Sequence, residues 1–321
     1  ALEAYRKLSE ETLAMPVIMG RKPEHEKFPG AVDTYCIEAM MQDGKALQAG
    51  TSHFLGQNFA KSANITFVNK ENKPEFAYTS SWGVSTRLIG GVIMTHADDE
   101  GMVVPPKIAP YQVVIIPVVK NPDDEDAVMA YINDIRKELS AQTPFGEKIR
   151  IKLDKRDKSS VDKFWEWTRK GAPVILEIGK RDADGNNAMM RIRTHINQPD
   201  AKQIVSRQQL ISDMPSVFEN IQQEMFDRAK ARLLANVRTD ITTPEAFKDY
   251  FEQANEWIED GKSGKVAFVR GKWCADPASE EILKAMKITI RCIPFDQTNT
   301  QGVCLLTGKP ASLDVIYARS Y

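Results

Sequence analysis

An arginine set among small residues is the first feature of this sequence that suggests chemistry. Arg87 stands in a run that begins at Gly83 and ends with Gly90 and Gly91, directly after a strand-like stretch. Small residues let a strand and the following helix pack closely, so that one guanidinium can project into the cleft beside them. Such a guanidinium is suited to a polyphosphate, and a surface or ion-pair role is the alternative interpretation.

A second candidate site lies where basic and aromatic side chains alternate, over residues 152–180. Lysine and arginine can follow the phosphates of RNA, and exposed rings can stack on unpaired bases. An ordinary amphipathic helix, with its rings packed on a sheet and its lysines in solvent, would show the same pattern. The basic residues are Lys155, Arg156, Lys158, Lys163, Arg169, Lys170 and Lys180, and the rings are Phe164, Trp165 and Trp167.

Spacing excludes several other kinds of site. The sequence contains no Gly-x-x-x-x-Gly-Lys-Ser/Thr, Gly-x-Ser-x-Gly or His-Glu-x-x-His pattern. His25, His96 and His195 have no partners at the spacing of metal ligands. The four cysteines are too sparse for a disulfide framework, which predicts a reducing, cytoplasmic environment.

Length and charge bound the class of protein. A chain of 321 residues is long enough for two or three domains with separate apolar cores. Because the formal net charge is only -1, any contact with nucleic acid must come from local basic clusters. No apolar run reaches the roughly 20 residues that cross a bilayer, so we expect no membrane partner.

The elements that would position these side chains change in type along the chain. Strand patterns separated by turn residues predict an antiparallel sheet before a helix at residues 85–95. From residue 113, alternating strands and helices predict a sheet with helices on its faces, followed by a hairpin turn at 182–185. A helix over 214–236 leads to a small α+β module, whose expected strands are 265–269, 288–295 and 314–318.

Several segments together resemble the class II aminoacyl-tRNA synthetases. These are the stretch QAGTSHFLGQNF at 48–59, the run at 83–91, and shorter matches at 38–41, 95–99 and 104–106. They are most similar to prolyl-tRNA synthetase of the archaeal and eukaryotic type, and the resemblance extends through the whole chain. It implies that proline is activated with ATP and Mg²⁺ and then transferred to tRNA(Pro).

The resemblance also implies which residues form the substrate sites. Arg87 matches the motif 3 arginine that holds a bent ATP, and is the expected catalytic residue. His53 matches the histidine of the proline pocket, where a neutral imidazole can form hydrogen bonds without bringing charge into a small cavity. A satisfied core histidine is the alternative for His53. The implied ATP-binding set is Gln48, Thr51, Ser85 and Arg87, and the implied proline-binding set is His53, Trp82, Phe28 and Glu38.

The later part of the chain carries a different set of implied roles. Arg156, Lys163, Trp167 and Lys170 match the anticodon-binding domain of the family. Family members often bind zinc through four cysteines in the C-terminal module. Here only Cys274 and Cys304 match those positions, because Val269 stands five residues before Cys274 and Thr307 stands three residues after Cys304. Two thiolates cannot complete a tetrahedral zinc site. We therefore predict no zinc, and no metal site of any kind. The C-terminal Tyr321 either approaches the active site or is anchored in a core.

The predicted fold class is α/β and α+β multidomain. Residues 1–110 would form the distal half of a class II antiparallel catalytic sheet, 111–213 an α/β anticodon-binding domain with a mixed sheet, and 214–321 a linker helix and C-terminal module. Motifs 1 and 2 are not recognisable, so we expect the C-terminal part of a longer, homodimeric synthetase, inactive on its own and with no DNA partner. The alternatives are a non-catalytic tRNA-binding fragment and a related class II synthetase for another amino acid.

Overall fold

The computed structural model describes residues 1–261 and 266–321, which form two compact units. The first unit comprises Ala1–Glu11, Met15–Thr95 and Ala229–Tyr321, and the second comprises Thr12–Ala14 and His96–Arg228. This division differs from the three consecutive segments that the sequence predicted. The reason is that strands from both ends of the chain share one sheet.

That sheet has eight strands and forms the centre of the first unit. Its strands are β1 (Val17–Arg21), β2 (Asp33–Met40), β3 (Ala46–Gly56), β6 (Thr79–Gly83), β12 (Val237–Arg238), β13 (Phe268–Trp273), β14 (Thr289–Pro294) and β17 (Leu313–Ala318). They lie in the order β12-β13-β17-β14-β1-β2-β3-β6. Every neighbouring pair is antiparallel except β12 with β13.

Short helices and hairpins complete the first unit. They are α1 (Leu2–Lys7), α2 (Asn58–Ser62), α3 (Arg87–His96), α8 (Pro244–Glu259) and α9 (Ser279–Ala285), with the hairpin strands β4 (Thr66–Val68), β5 (Pro74–Phe76), β15 (Gly302–Val303) and β16 (Pro310–Ala311). A π-helical segment, Leu8–Thr12, follows α1. Helix α3 lies close to β3, because a Cβ added at Gly91 would sit 2.9 Å from Leu47. Gly91 thus permits the close packing of strand and helix that the sequence predicted.

The C-terminal strands extend the sheet instead of forming a separate module. Strand β14 pairs with β1 in the register Gly20 to Pro294 and Arg21 to Ile293. The contact is tight at Gly20, where an added Cβ would lie 2.5 Å from the carbonyl oxygen of Ile293. Long-range pairing of this kind leaves no local pattern in the sequence.

The second unit is built on a mixed five-stranded sheet, which confirms the predicted α/β class. Its strands are β7 (Val113–Val118), β8 (Ile151–Leu153), β9 (Val174–Gly179), β10 (Asn187–Ile192) and β11 (Gln203–Ser206), and its helices are α4 (Glu125–Ser140), α5 (Ser160–Arg169), α6 (Lys180–Gly185) and the start of α7 (Arg207–Ala235). The order is β11-β10-β9-β7-β8, with β7, β8 and β9 parallel. Alternate residues of β7 belong to two different apolar clusters, one with α4 and one with α5.

Three local predictions differ from the structure. The segment 182–185 is not a hairpin turn but part of α6, which ends where Asn186 adopts a left-handed conformation with φ of 54°. Helix α7 begins at Arg207, so Pro215 lies inside it and not in its first turn. Of the strand expected at 265–269, Lys265 lies outside the described residues, and β13 begins at Phe268. Within the described residues, no helix is long and apolar enough to cross a membrane.

Candidate functional site

A bulge in β3 decides which side chains share one face of the large sheet. Gln48 lies opposite Glu38 and Gly50 lies opposite Ile37, so Ala49 is an extra residue without a partner on β2. Thr51 and His53 lie opposite Cys36 and Thr34. The three partners on β2, namely Glu38, Cys36 and Thr34, are alternate residues and point to the same face. The bulge therefore brings Gln48, Thr51 and His53 onto one face despite their uneven spacing.

Arg87 lies at the beginning of α3 and contacts the backbone of β3. Its Nη1 donates to the carbonyl oxygen of Gln48 at 3.4 Å, and its backbone N–H donates to Oγ of Ser85 at 3.3 Å. The side chains of Arg87 and Ser85 are both exposed. The structure therefore brings together Arg87, Ser85 and Gln48, with Thr51 further along the same strand as Gln48.

His53 is a half-buried imidazole held by two neighbours. Its Nδ1 lies 3.0 Å from Oγ1 of Thr34, and its ring lies 5.0 Å from the ring of Phe28 at an angle of 43°. Partial burial lowers the pKa of His53, because desolvation disfavours the charged form. The neutral form of the imidazole is therefore favoured near pH 7. Phe28 is 47% exposed and can contact a ligand there.

Glu38 does not have the free carboxylate that a proline-binding role needs. It is completely buried, and its carboxylate accepts hydrogen bonds from Nζ of Lys22 at 3.0 Å and from Nη2 and Nε of Arg291 at 2.9 and 3.1 Å. Both cations are buried too. Glu38 thus joins β2 to the C-terminal strand β14 through an ion-pair cluster, and we remove it from the proline-binding set.

Trp82 is also separated from the other predicted proline-binding residues. It lies opposite Ser52 in the pairing of β3 with β6, whereas Ser81 lies opposite His53. Because neighbouring residues on a strand point to opposite faces, Trp82 and His53 lie on different faces of the sheet. Trp82 is 63% exposed on its own face. The sequence pattern could not show this, because the number of residues in the loop between β3 and β6 does not determine the register.

In the second unit, a basic cavity of about 540 Å³ surrounds the end of β8. Its centre is the buried Asp154, which accepts hydrogen bonds from Nε and Nη2 of Arg156 at 2.9 and 2.6 Å and from Nε1 of Trp167 at 2.8 Å. These bonds, led by those from Arg156, hold the pKa of Asp154 well below its usual range. Arg156 and Lys170 both pair with Glu166 and lower its pKa to about 2.

Two of the four predicted anticodon-binding residues are buried. Trp167 is only 8% exposed and packs on the sheet with its indole nitrogen bound to Asp154, so it offers no free ring for a base. Lys163 is 6% exposed. Arg156 and Lys170 remain accessible, with about half of each side chain in solvent. Phe164 and Trp167 on α5 thus follow the amphipathic alternative, whereas Trp165 is 37% exposed. Lys170, just after α5, lines the cavity.

A second basic cleft was missed in the sequence. It has a volume of about 520 Å³ and lies where the parallel strands β7 and β9 end. Arg191 lies in it with its guanidinium 4.0 Å from the ring of Phe164 and 2.9 Å from Glu177. Carboxyl ends of parallel strands are a common place for ligands, and the pair Lys180 and Arg181 directly after β9 was the available signal. The cleft also contains Lys120, Lys202, Asp124 and Asp182.

The cysteines and the C-terminus occupy separate places. Cys36 and Cys292 are buried in one apolar cluster of the first unit. Sγ of Cys274 lies 3.4 Å from Oγ1 of Thr307, and among the described residues no group of three or more potential ligands could hold a metal ion. The absence of zinc stays a prediction.

The C-terminal Tyr321 is held by two hydrogen bonds. Its backbone N–H donates to the carbonyl of Ala46, at the start of β3, and its hydroxyl donates to Asp43 at 2.5 Å.

Comparison with known protein families gives a match in the middle of the chain and another in its C-terminal part. A model described as "Anticodon binding domain" matches residues 112–215, and one described as "Prolyl-tRNA synthetase, C-terminal" matches residues 251–321. Three similar proteins, each named proline–tRNA ligase, come from Novosphingobium aromaticivorans (47% identical), Paramagnetospirillum magneticum (48%) and Protochlamydia amoebophila (45%). Each alignment covers the whole of this chain and 62% of the relative.

An anticodon-binding match together with a largely antiparallel sheet in the first unit agrees with the class II aminoacyl-tRNA synthetases. Within this class, the C-terminal match and the shared name of the relatives both point to the prolyl-tRNA synthetases. The chain is thus similar to the prolyl-tRNA synthetases over its whole length, which confirms the family resemblance that the sequence predicted. Neither alternative, a non-catalytic fragment or a synthetase for another amino acid, is favoured.

Proposed function

We propose that this chain is part of an enzyme that converts proline and ATP to prolyl-adenylate and then transfers the prolyl group to tRNA(Pro). The observation that carries the proposal is the bulge in β3, which directs Gln48, Thr51 and His53 to one face beside Arg87. Strand β2 advances four residues, or about 13 Å, from Glu38, the partner of Gln48, to Thr34, the partner of His53. A nucleotide and an amino acid can lie end to end over that distance.

In this proposal, Arg87 binds the phosphates of ATP, with Gln48, Thr51 and Ser85 as neighbouring polar contacts. A guanidinium forms strong, directed hydrogen bonds to phosphate oxygens and stabilises the charge that develops there during transfer. His53 and Phe28 form one side of the proline pocket, whereas Glu38 and Trp82 take no part. Mg²⁺, when bound with ATP, neutralises phosphate charge, and we assign it no protein ligand.

The anticodon-binding role belongs to the second unit. Arg156 and Lys170 at the cavity beside Asp154, and Lys180, Arg181 and Arg191 at the cleft beyond β9, form two basic surfaces on the same domain. Such positions allow cations to contact phosphates while the cavities receive unpaired bases. The proposal further includes a homodimer for the longer protein, a location in the cytoplasm, and neither membrane nor DNA as a partner.

Affinity for tRNA(Pro) tests this function in the chain itself. The measurement is fluorescence anisotropy with the wild-type transcript and with a transcript in which the two guanines that pair with proline codons are replaced. We expect binding at least tenfold weaker to the altered anticodon, because wrong bases leave buried polar groups unpaired. Equal affinity for both transcripts would contradict a prolyl-specific anticodon site.

A further inference from the structure

A buried threonine lies behind the imidazole of the site. Thr34 is 2% exposed, and its Oγ1 accepts a hydrogen bond from the backbone N–H of Phe28 at 3.3 Å. The same oxygen lies 3.0 Å from Nδ1 of His53. The hydroxyl therefore connects the backbone of one predicted pocket residue with the ring of another.

Hydrogen-bond accounting decides the direction of the contact between Thr34 and His53. A hydroxyl has one proton to donate, and a buried proton without an acceptor is costly. If Nδ1 of His53 carried a proton, Oγ1 would accept from both His53 and Phe28, and its own proton would point into a buried region. If Nδ1 is unprotonated, Oγ1 accepts from Phe28 and donates to His53, so that every group is satisfied.

The opposite ring nitrogen of His53 has no protein partner among the described residues. Within residues 1–261 and 266–321, Nε2 of His53 makes no hydrogen bond, and it is not among the buried polar atoms that lack a partner. It is therefore open to solvent. A neutral imidazole whose Nδ1 accepts must carry its proton on Nε2. The ring of Phe28 packs on His53 and limits its rotation.

We propose that Thr34 is a positioning residue that fixes His53 as a hydrogen-bond donor through Nε2, so that His53 contacts an acceptor oxygen of the bound amino acid and not its ammonium group. This inference rests on the proposed function for the identity of the ligand. Free proline offers a carboxylate, which only accepts, and a secondary ammonium, which only donates. A donor at Nε2 is compatible with the first and incompatible with the second, so Thr34 contributes to the orientation of the substrate.

The test is a ¹⁵N NMR measurement on the ligand-free chain with labelled histidine, at a pH where imidazole is neutral. The chain has four histidines, and the variant His53→Gln assigns the relevant signals. We expect a protonated Nε2 and an unprotonated, hydrogen-bonded Nδ1 in the wild type and in Thr34→Ser. In Thr34→Val, the Nδ1 signal should move to the position of a nitrogen without a hydrogen bond. A protonated Nδ1 in the wild type, or identical spectra for all three proteins, would overturn the inference.

A binding measurement separates this inference from the proposed function. We expect Thr34→Val to bind a non-hydrolysable analogue of prolyl-adenylate about tenfold more weakly than the wild type, and Thr34→Ser within about twofold. Equal binding by Thr34→Val and the wild type would overturn the role of Thr34 in orienting the ligand. If the wild type has the expected protonation but binds no analogue, the assignment of His53 stands and the proposed function fails. If Thr34→Val does not fold, the wild-type spectrum still decides the protonation state.

Discussion

At the scale of single residues, the surroundings of a carboxylate decide its role. Glu38 and Asp154 are both buried, and each accepts hydrogen bonds from cationic side chains. A buried carboxylate whose oxygens are occupied by protein donors organises its neighbours and is not available to a ligand. Residue type and motif position suggested a ligand contact for Glu38, but they could not predict that protein donors occupy its carboxylate.

Replacement of Glu38 by alanine should strongly destabilise the first unit. The variant leaves Lys22 and Arg291 buried without their counter-ion, and an uncompensated buried charge costs about 3–5 kcal/mol. Urea unfolding followed by circular dichroism measures the change. Glu24→Ala is the control, because the Glu24 side chain is 87% exposed and pairs with Lys27 at the surface, where such pairs contribute less than about 1 kcal/mol. Similar losses in the two variants would refute the structural role of Glu38.

Asp154→Asn should destabilise the second unit at neutral pH and much less in acid. The folded-state pKa of Asp154 is depressed, so its stabilising effect is complete above the unfolded-state pKa near 4 and is lost as the pH falls through the folded-state value. We expect a loss on the order of 2 kcal/mol at pH 7, because hydrogen bonds to charged groups contribute about that much. The difference from wild type should begin to narrow below pH 4. A difference that is constant between pH 7 and pH 3 would show that the charge of Asp154 is unimportant.

The sequence predicted the backbone position of a motif residue better than it predicted which side chains of a helix are buried. Arg87 lies at the beginning of α3 because a strand and a helix meet there, which the pattern of small residues indicated. Trp167 and Lys163 were interpreted as RNA contacts, but both are buried on α5. An amphipathic helix shows its period in the sequence, but the depth at which each side chain lies depends on the sheet beneath it.

At the scale of elements, the edge between β1 and β14 joins distant parts of the chain. These strands pair through Gly20 and Arg21, and the cluster of Lys22, Glu38 and Arg291 lies beside them. A strand pairing adds backbone hydrogen bonds, and the buried ion pairs make its register specific. The C-terminal strands are therefore part of the same sheet that carries His53.

A side chain at Gly20 should disrupt this pairing. The Cβ of Gly20→Val would lie 2.5 Å from a carbonyl oxygen and 2.7 Å from Cβ of Cys292, and neither can move away without displacing β14. We expect a loss of about 2–3 kcal/mol, measured by urea unfolding, and faster amide exchange in β14. The control is Gly83→Ala in β6, because an added Cβ there meets no atom within 4 Å. Unchanged exchange in β14 of Gly20→Val would contradict the observed pairing.

Local elements were largely predictable, whereas their partners were not. The sequence indicated strands near β1, β2, β3 and β6 and the alternating order of the second unit, because hydrophobic period and turn residues are local signals. It did not indicate that β14 would extend the first sheet, since pairing between residues far apart in sequence has no local pattern. It also did not indicate the bulge at Ala49, whose effect depends on the register with β2.

At the scale of the whole molecule, a net charge of -1 coexists with two concentrated basic surfaces in one unit. Contact with RNA should therefore depend on a few cations and not on the total charge. The cleft beyond β9 brings five cations together with three carboxylates, namely Lys120, Lys180, Arg181, Arg191 and Lys202 with Asp124, Glu177 and Asp182. This arrangement leaves a local excess of positive charge.

Removal of two cations from that cleft should weaken binding to tRNA(Pro) and reduce its salt dependence. For Lys180→Ala with Arg181→Ala, we expect at least a tenfold loss of affinity and a slope against log salt that is smaller by about 1.4, which corresponds to two phosphate contacts. The control variant, Lys73→Ala with Lys248→Ala, removes the same charge from exposed positions of the first unit. An equal loss in both double variants would indicate a general charge effect and would contradict a localised site.

In the proposed function, Arg87 and His53 contact one ligand on one face of the sheet. Calorimetric titration with a non-hydrolysable analogue of prolyl-adenylate tests it most directly, because a single molecule must reach both residues. We predict that the wild type binds and that Arg87→Ala and His53→Ala each bind at least tenfold more weakly, while His195→Ala, in the other unit, binds as the wild type does. Unchanged affinity in either Arg87→Ala or His53→Ala, or no binding by the wild type, would contradict a shared site.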